Sequence, residues 1–271
     1  MSARVRLNKE TNENTWRPMN AVLDKIIATG LVEDAEGKSY NAMGMGISVA
    51  MARVLHEGIR NRPVQRSIEL GCAYGVSSLF ICDALAHKPG ARHVIIDPGQ
   101  GSQYKYIGVG NLERCGYDFF QLLEEPSELA LPKLWQAGER FDFALIDGRH
   151  TSDHVMVDFF YIDRLLNVGG IVVFDDVDLY RVNKAVRYLV QYPSYRVLPW
   201  RSPPDRGGLP WQKKMAMKLV KLMPRRYREA LFAPEIACPG PVETALSGRQ
   251  RFLAMEKISE DSRLSSWQVR F

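Results

Sequence analysis

Five short apolar runs set the strongest constraint on how this chain folds: SIEL (67–70), HVII (93–96), FQLL (120–123), FALI (143–146) and IVVF (171–174). Strands buried on both faces of a parallel sheet read as continuous apolar runs, and parallel neighbours need a crossover of a dozen or more residues. The segments between the runs are long enough to hold one helix each. The alternation predicts an α/β fold with a doubly wound, mostly parallel sheet. YRVLPW (195–200) and RFLAMEKI (251–258) add a sixth and a seventh strand, and NKAVRYLVQY (183–192) reads as a helix.

The runs also end alike. SIEL carries Glu69 and leads into Gly71, HVII ends at Asp97, FQLL at Glu124 and Glu125, FALI at Asp147, and IVVF at Asp175 and Asp176. Parallel strands point their carboxyl ends at one edge, so these groups are expected around one crevice. A single acid after a strand is ordinary turn chemistry, whereas five in succession repel one another unless a cation or hydrogen-bond donors compensate them.

Helical spacing of apolar residues in MNAVLDKIIATG (19–30) and MGMGISVAMARVLHEGIRN (43–61) predicts two helices ahead of the sheet. The chain therefore divides into an N-terminal segment (1–64), a core (65–200), a basic insertion (201–250) and a last strand with its tail (251–271). Within the insertion Met215, Leu219 and Leu222 or Met223 recur at helical spacing, as expected of a helix packed on the core or serving as a lid. Much of the net charge of +5 falls in WQKKMAMKLVKLMPRRYREAL (211–231), a solvated face before it is a contact for nucleic acid, acidic lipid or an acidic substrate.

No window approaches the apolar length of a membrane span, and the first residues lack a secretory h-region, so a cytoplasmic location is expected. Cys72, Cys82, Cys115 and Cys238 share no metal-binding or disulfide spacing and read as reduced thiols.

ELGCAYGVSS (69–78) stands where the first strand turns into a helix. Gly71 and Gly75 permit close backbone approach or positive φ, and the helix N-terminus presents unpaired N–H groups to a nucleotide-like ligand. The motif is also a loose match to the dinucleotide fingerprint, but that pattern needs a last glycine where this chain has Val76. Glu69 suits a ligand with a positive group, such as the amino group of S-adenosylmethionine.

In ELGCAYGVS, VIID, EEPSELALPKL, FDFALIDGRH and LLNVGGIVVFDDV, spread over about 65–177, the chain resembles class I S-adenosylmethionine-dependent methyltransferases. More narrowly, it is similar to metal-dependent O-methyltransferases of the catechol O-methyltransferase-like and macrolide-sugar or antibiotic branches. The resemblance implies a Rossmann-like methyltransferase sheet of seven strands. It implies that Glu69, Gly71, Gly75 and Ser77 surround the methionine end of the cofactor, that Asp97 binds the ribose, and that Ser127 and Glu128 lie beside the adenine. Asp147, Asp175 and Asp176 fall where that family holds a divalent metal. Asp176 and His150 replace an asparagine and a lysine of the catechol branch and fit the sugar-modifying branch better. Met43 and Met45 fall where related enzymes close over their ligands.

The residues themselves lead to similar chemistry. Three carboxylates form a hard oxygen set suited to Mg²⁺ or another divalent cation. Methyl transfer to a neutral hydroxyl needs a base, and His150, three residues beyond Asp147, is placed for it, with Asp147 or the more distant His154 as alternatives. Arg149 is a candidate for an acidic substrate group, and Gly148 for the turn between Asp147 and His150. Tyr104, Tyr106 and Tyr161 could line a pocket, but their spacing is just as compatible with core packing, and they are left out of the site.

The expected function is a Mg²⁺-dependent O-methyltransferase acting on a small hydroxylated molecule such as a sugar, phenol or other natural product. An NAD(P)-dependent oxidoreductase would use Gly71 and Asp97 but leave the later aspartates idle. A non-catalytic binding protein on the same fold is the third reading. No clear nucleic-acid signature is present, and a homo-oligomer is left open.

Overall fold

The structure is a computed structural model that describes residues 20–42, 47–200 and 251–267, with isolated positions between 215 and 227. Helix α1 (Ala21–Thr29) starts at Asn20, whose side chain accepts from Leu23 N at 2.8 Å, and stops at Gly30 in the left-handed region. A hairpin follows, β1 (Leu31–Glu33) with β2 (Ser39–Asn41). Only helices were expected here, because three-residue strands are too short to show a period of two. Helix α2 (Val49–Arg60) begins at Ser48 and buries Met51, Ala52, Leu55 and Ile59. Met43, Met45 and Cys238 lie outside the described residues.

The five runs become parallel strands β3 (Arg66–Leu70), β4 (Arg92–Ile96), β5 (Phe120–Leu123), β6 (Phe141–Ile146) and β7 (Leu166–Phe174). Between them run α3 (Val76–Leu85), α4 (Ile107–Arg114), α5 (Ser127–Gln136) and α6 (Ser152–Leu165), followed by α7 (Tyr180–Leu189). β8 (Tyr195–Val197) is short, and β9 (Leu253–Lys257) inserts antiparallel between β7 and β8. The sheet order is β5-β4-β3-β6-β7-β9-β8, seven strands as expected.

Alternation along each strand feeds two cores. Ile95, Phe143, Leu145, Ile171 and Val173 pack with α1 to α4, whereas Ile68, Leu70, Val94, Ile96, Ala144, Val172 and Phe174 pack with α5 to α7. Helix α3 is buried on nearly every side, which is why its sequence VSSLFICDAL lacks a polar stripe. Met215, Leu219 and Leu222 stand exposed, at 53%, 62% and 81%, so these three are not packed on the core, the first of the alternatives their spacing offered. Cys72, Cys82 and Cys115 are free thiols.

Candidate active site

The carboxyl ends of β5, β4, β3, β6 and β7 lie side by side and open into a pocket of about 550 Å³. In sheet order they contribute Pro126, Ser127 and Glu128; Asp97, Pro98 and Gly99; Gly71, Cys72 and Ala73; Asp147 and Gly148; and Asp176. Ser77, His150 and His154 complete the expected lining.

Two expected positions are elsewhere. Glu69 is wholly buried inside β3 and does not line the pocket: the two-residue period that sends Ile68 and Leu70 to one core turns Glu69 toward α3. There it accepts from Ser78 Oγ and lies 3.4 Å from His93 Nε2, whose Nδ1 is 2.8 Å from Ser67 Oγ. Gly75 also misses the lining, and its φ of +81° serves packing, because a Cβ there would sit 2.7 Å from the Gly108 carbonyl oxygen. Gly71, at φ +89°, brings β3 against β6: a Cβ would meet the Asp147 carbonyl oxygen at 2.2 Å. Gly148, expected to serve the turn, has no positive φ, and a Cβ would find its nearest neighbour at 3.8 Å.

Asp97 organises the centre. Its Oδ2 accepts from Cys72 N, Ala73 N and Gln100 Nε2, each at 2.9 Å, and Oδ1 accepts from Gly99 N at 2.8 Å. Oδ1 therefore keeps the spare acceptor capacity of this carboxylate. Glu124 and Glu125, counted among the converging acids, are turned to other partners: Glu124 accepts from Gly101 N and Tyr106 Oη, and Glu125 pairs with Lys133.

At the β6 and β7 ends three side chains meet. His150 Nε2 lies 3.2 Å from Asp147 Oδ1 and 3.4 Å from Asp176 Oδ2, and one ligand atom from each of the three lies within 4.8 Å of the others. Burial pushes the Asp147 carboxyl up to about 6 against the pull of His150. His150 is raised in turn, chiefly by its hydrogen bond to Asp147, with burial opposing. Asp175 sits deeper, 1% exposed and off the pocket wall, and neither of its carboxylate oxygens has a hydrogen-bond partner among the described residues. Burial and then repulsion from Asp147 and Asp176 push it up to about 8.

A cation enters from the far end of the chain. Arg251, just ahead of β9, places Nη2 2.7 Å from Asp176 Oδ1 and 4.0 Å from Asp175 Oδ2. Asp176 itself holds a left-handed φ of +51°, fixed by this pair and by the hydrogen bond from Val177 N to Arg251 O. The sequence reading missed Arg251, since only the antiparallel return of β9 brings it here. It also left out Tyr104, which lines the pocket edge-on to Tyr74 at 5.3 Å; its place three residues beyond Gly101 in the β4 loop was the available signal. Tyr106 is exposed, and Tyr161 lies beside Trp135. Arg149 lines the pocket with Nη1 3.3 Å from His154 Nε2.

Asp147, His150 and Asp176, with the buried Asp175 behind them, fit a divalent cation, since burial and mutual repulsion make Asp147 and Asp175 hard to ionise without one. One arginine offsets a single charge. The nitrogen of His150 in the set admits Mn²⁺ beside Mg²⁺.

A parallel sheet with a last antiparallel strand and a row of ligand groups along its carboxyl edge is a Rossmann-like methyltransferase fold. Residues 68–177 match the family model described as a methyltransferase domain. No curated protein matches the chain in sequence. Among solved structures, the chain is similar to the O-methyltransferase TomG from Streptomyces achromogenes, involved in tomaymycin synthesis and solved with S-adenosylmethionine. That match has 20% identity and a TM-score of 0.57, over 69% of this chain and 84% of that one. A Bacillus cereus O-methyltransferase bound to S-adenosylhomocysteine matches at 16% identity and TM-score 0.56, covering 69% and 86%. The S-adenosylhomocysteine-bound methyltransferase PaMTH1 of Podospora anserina matches at 18% and 0.55, covering 73% and 94%.

Proposed function

We propose that the chain transfers the methyl group of S-adenosylmethionine to a hydroxyl of a small molecule, aided by Mg²⁺ or another divalent cation held by Asp147, Asp175 and Asp176. The observation that carries this reading is the order of groups along the sheet edge. An acidic cluster with a histidine stands at β6 and β7, a glycine turn at β3, an acceptor carboxylate at β4 and a small polar slot at β5. A methyl donor laid along that edge puts its sulfonium over Gly71 and Ser77, its ribose on Asp97 Oδ1 and its base at Ser127 and Glu128. The reactive end then faces the acids. That TomG and the Bacillus cereus protein are O-methyltransferases supports oxygen as the acceptor atom.

When bound, the cation would supply Lewis acidity toward the acceptor hydroxyl and charge balance for the carboxylates. His150 supplies the base. With Nε2–H donated to Asp147, its other ring nitrogen carries the lone pair that takes the hydroxyl proton, and Asp147 and Asp176 stabilise the imidazolium so formed. Use of Nε2 as a metal ligand would instead leave Asp147 as the base, and a His150→Gln variant retaining more than a tenth of kcat would favour that assignment.

The decisive assay follows S-adenosylhomocysteine formation over a panel of hydroxylated small molecules, with Mg²⁺ and with chelator. Asp147→Asn and Asp176→Ala should each lower kcat at least ~100-fold while calorimetric binding of S-adenosylhomocysteine changes little. Full activity of both variants, or of the parent in chelator, would remove the metal role. Binding of NAD(H) in place of S-adenosylhomocysteine would transfer the site to hydride chemistry.

A further inference from the structure

Helix α6 is apolar on both sides. Val155, Phe159, Ile162 and Leu165 form its inner face and are buried in the core on that side of the sheet. The outer face of a surface helix is ordinarily polar. Here Val157 and Phe160 are 40% and 49% exposed, and on the neighbouring α5 Leu129 and Trp135 are 54% and 43% exposed. Rings join the two helices: Trp135 lies 6.4 Å from Tyr161, which meets Phe160 edge-on at 5.1 Å. The Arg164 guanidinium carbon is 3.5 Å from the Phe160 ring centre and 5.9 Å from that of Trp135. A continuous exposed apolar patch marks a contact surface, and tryptophan, tyrosine and arginine are the side chains that anchor one.

We propose that two copies of the chain meet on this face, α6 packed antiparallel on α6 about a two-fold axis between Val157 and Phe160. The charge pattern singles out the occupant. Asp153, Val157, Phe160 and Arg164 recur at i, i+4, i+7 and i+11, the seam spacing of helices that cross at a shallow angle. Along the seam they run acid, apolar, apolar, base, so a two-fold axis at its middle makes the seam its own complement. Val157 of one copy then packs on the other copy's Phe160, and Asp153, whose side chain is 79% exposed, faces the other copy's Arg164. Each contact occurs twice. Parallel packing would instead set acid on acid and base on base, which costs affinity. The dimer is independent of the chemistry proposed for the pocket.

Sedimentation equilibrium of the full chain tests the contact, with far-UV circular dichroism to show that each variant is folded. The parent should dimerise with a Kd of about 1–100 μM, as a patch of a few exposed side chains on two helices allows. Asp153→Lys and Arg164→Glu each oppose like charges across the axis and should weaken the dimer at least ~10-fold. An equimolar mixture of the two should regain it, because in the mixed dimer each altered side chain faces an opposite charge. Should a charge change at a helix end disturb folding, Val157→Lys and Phe160→Glu repeat the exchange at mid-helix. A parent that stays monomeric throughout this range, single variants that dimerise as the parent does, or mixtures that remain monomeric would each overturn the proposal.

Discussion

At the residue scale, Asp175 concentrates the electrostatic cost of the site. Its carboxyl titrates at about 8 in the folded chain, through burial first and its acidic neighbours second, against ~3.9 for an unperturbed aspartate. The folded state thus keeps a proton that the unfolded chain has released. Stability from this group is full below about pH 4 and is lost progressively as pH rises to about 8. Asp147, at about 6, adds to the lower part of the same window. Without divalent cation, the parent should melt at lower temperature at pH 8.5 than at pH 5.5, and Asp175→Asn should flatten that difference. Mg²⁺ or Mn²⁺, which needs ionised ligands, should raise the parent's Tm more at pH 8.5 than at 5.5, and Asp175→Asn should forfeit most of the rise. A pH-independent parent, or an undiminished cation response in the variant, would contradict the placement of the charge.

Between elements, bare backbone sets the close contacts around the glycine turn after β3. A Cβ on Gly108 of α4 would meet the Ala73 carbonyl oxygen at 2.6 Å and Cys72 Sγ at 2.8 Å, and one on Gly75 would meet Gly108. The α4 helix therefore braces the turn that presents Cys72 N and Ala73 N to Asp97. Gly108→Ala should displace that brace and weaken S-adenosylhomocysteine binding about tenfold or more by calorimetry. Gly110→Ala, on the same helix with open space for a Cβ, should leave affinity within about twofold and stabilise the helix slightly. Equal affinities for the two variants would show that the brace is not needed. Gly71 and Gly75 were visible in the sequence as a cofactor turn, but their partners were not. Gly71 spares the Asp147 carbonyl and Gly75 spares Gly108, contacts between segments far apart along the chain. Glu69 was misplaced for a local reason: its strand parity sends it into the α3 side of the sheet, a fact readable only once the strand's two faces are assigned.

For the whole molecule, the last strand closes both the sheet and the site. β9 runs antiparallel between β7 and β8, carrying Arg251 to Asp176 at its start. At its end the buried Lys257 donates to the carbonyls of Asp163 and Leu166, at 2.7 and 3.1 Å, and to Glu260. Lys257→Met removes that donor from two carbonyls at the α6–β7 corner and should cost about 2–4 kcal/mol by denaturant unfolding. A loss under ~1 kcal/mol would show that the corner holds without it. The alternation of apolar runs with helix-length segments, and the acids at the run ends, determined the parallel sheet and the place of the pocket, because burial on both faces and the common strand direction are written locally. Tertiary structure alone decided which acids share the pocket. Asp97, Asp147 and Asp176 reach it, Glu69 and Asp175 are buried off its wall, and Arg251 joins from far along the chain. Side-chain parity and antiparallel return are properties of strands packed together, and no run of residues contains them by itself.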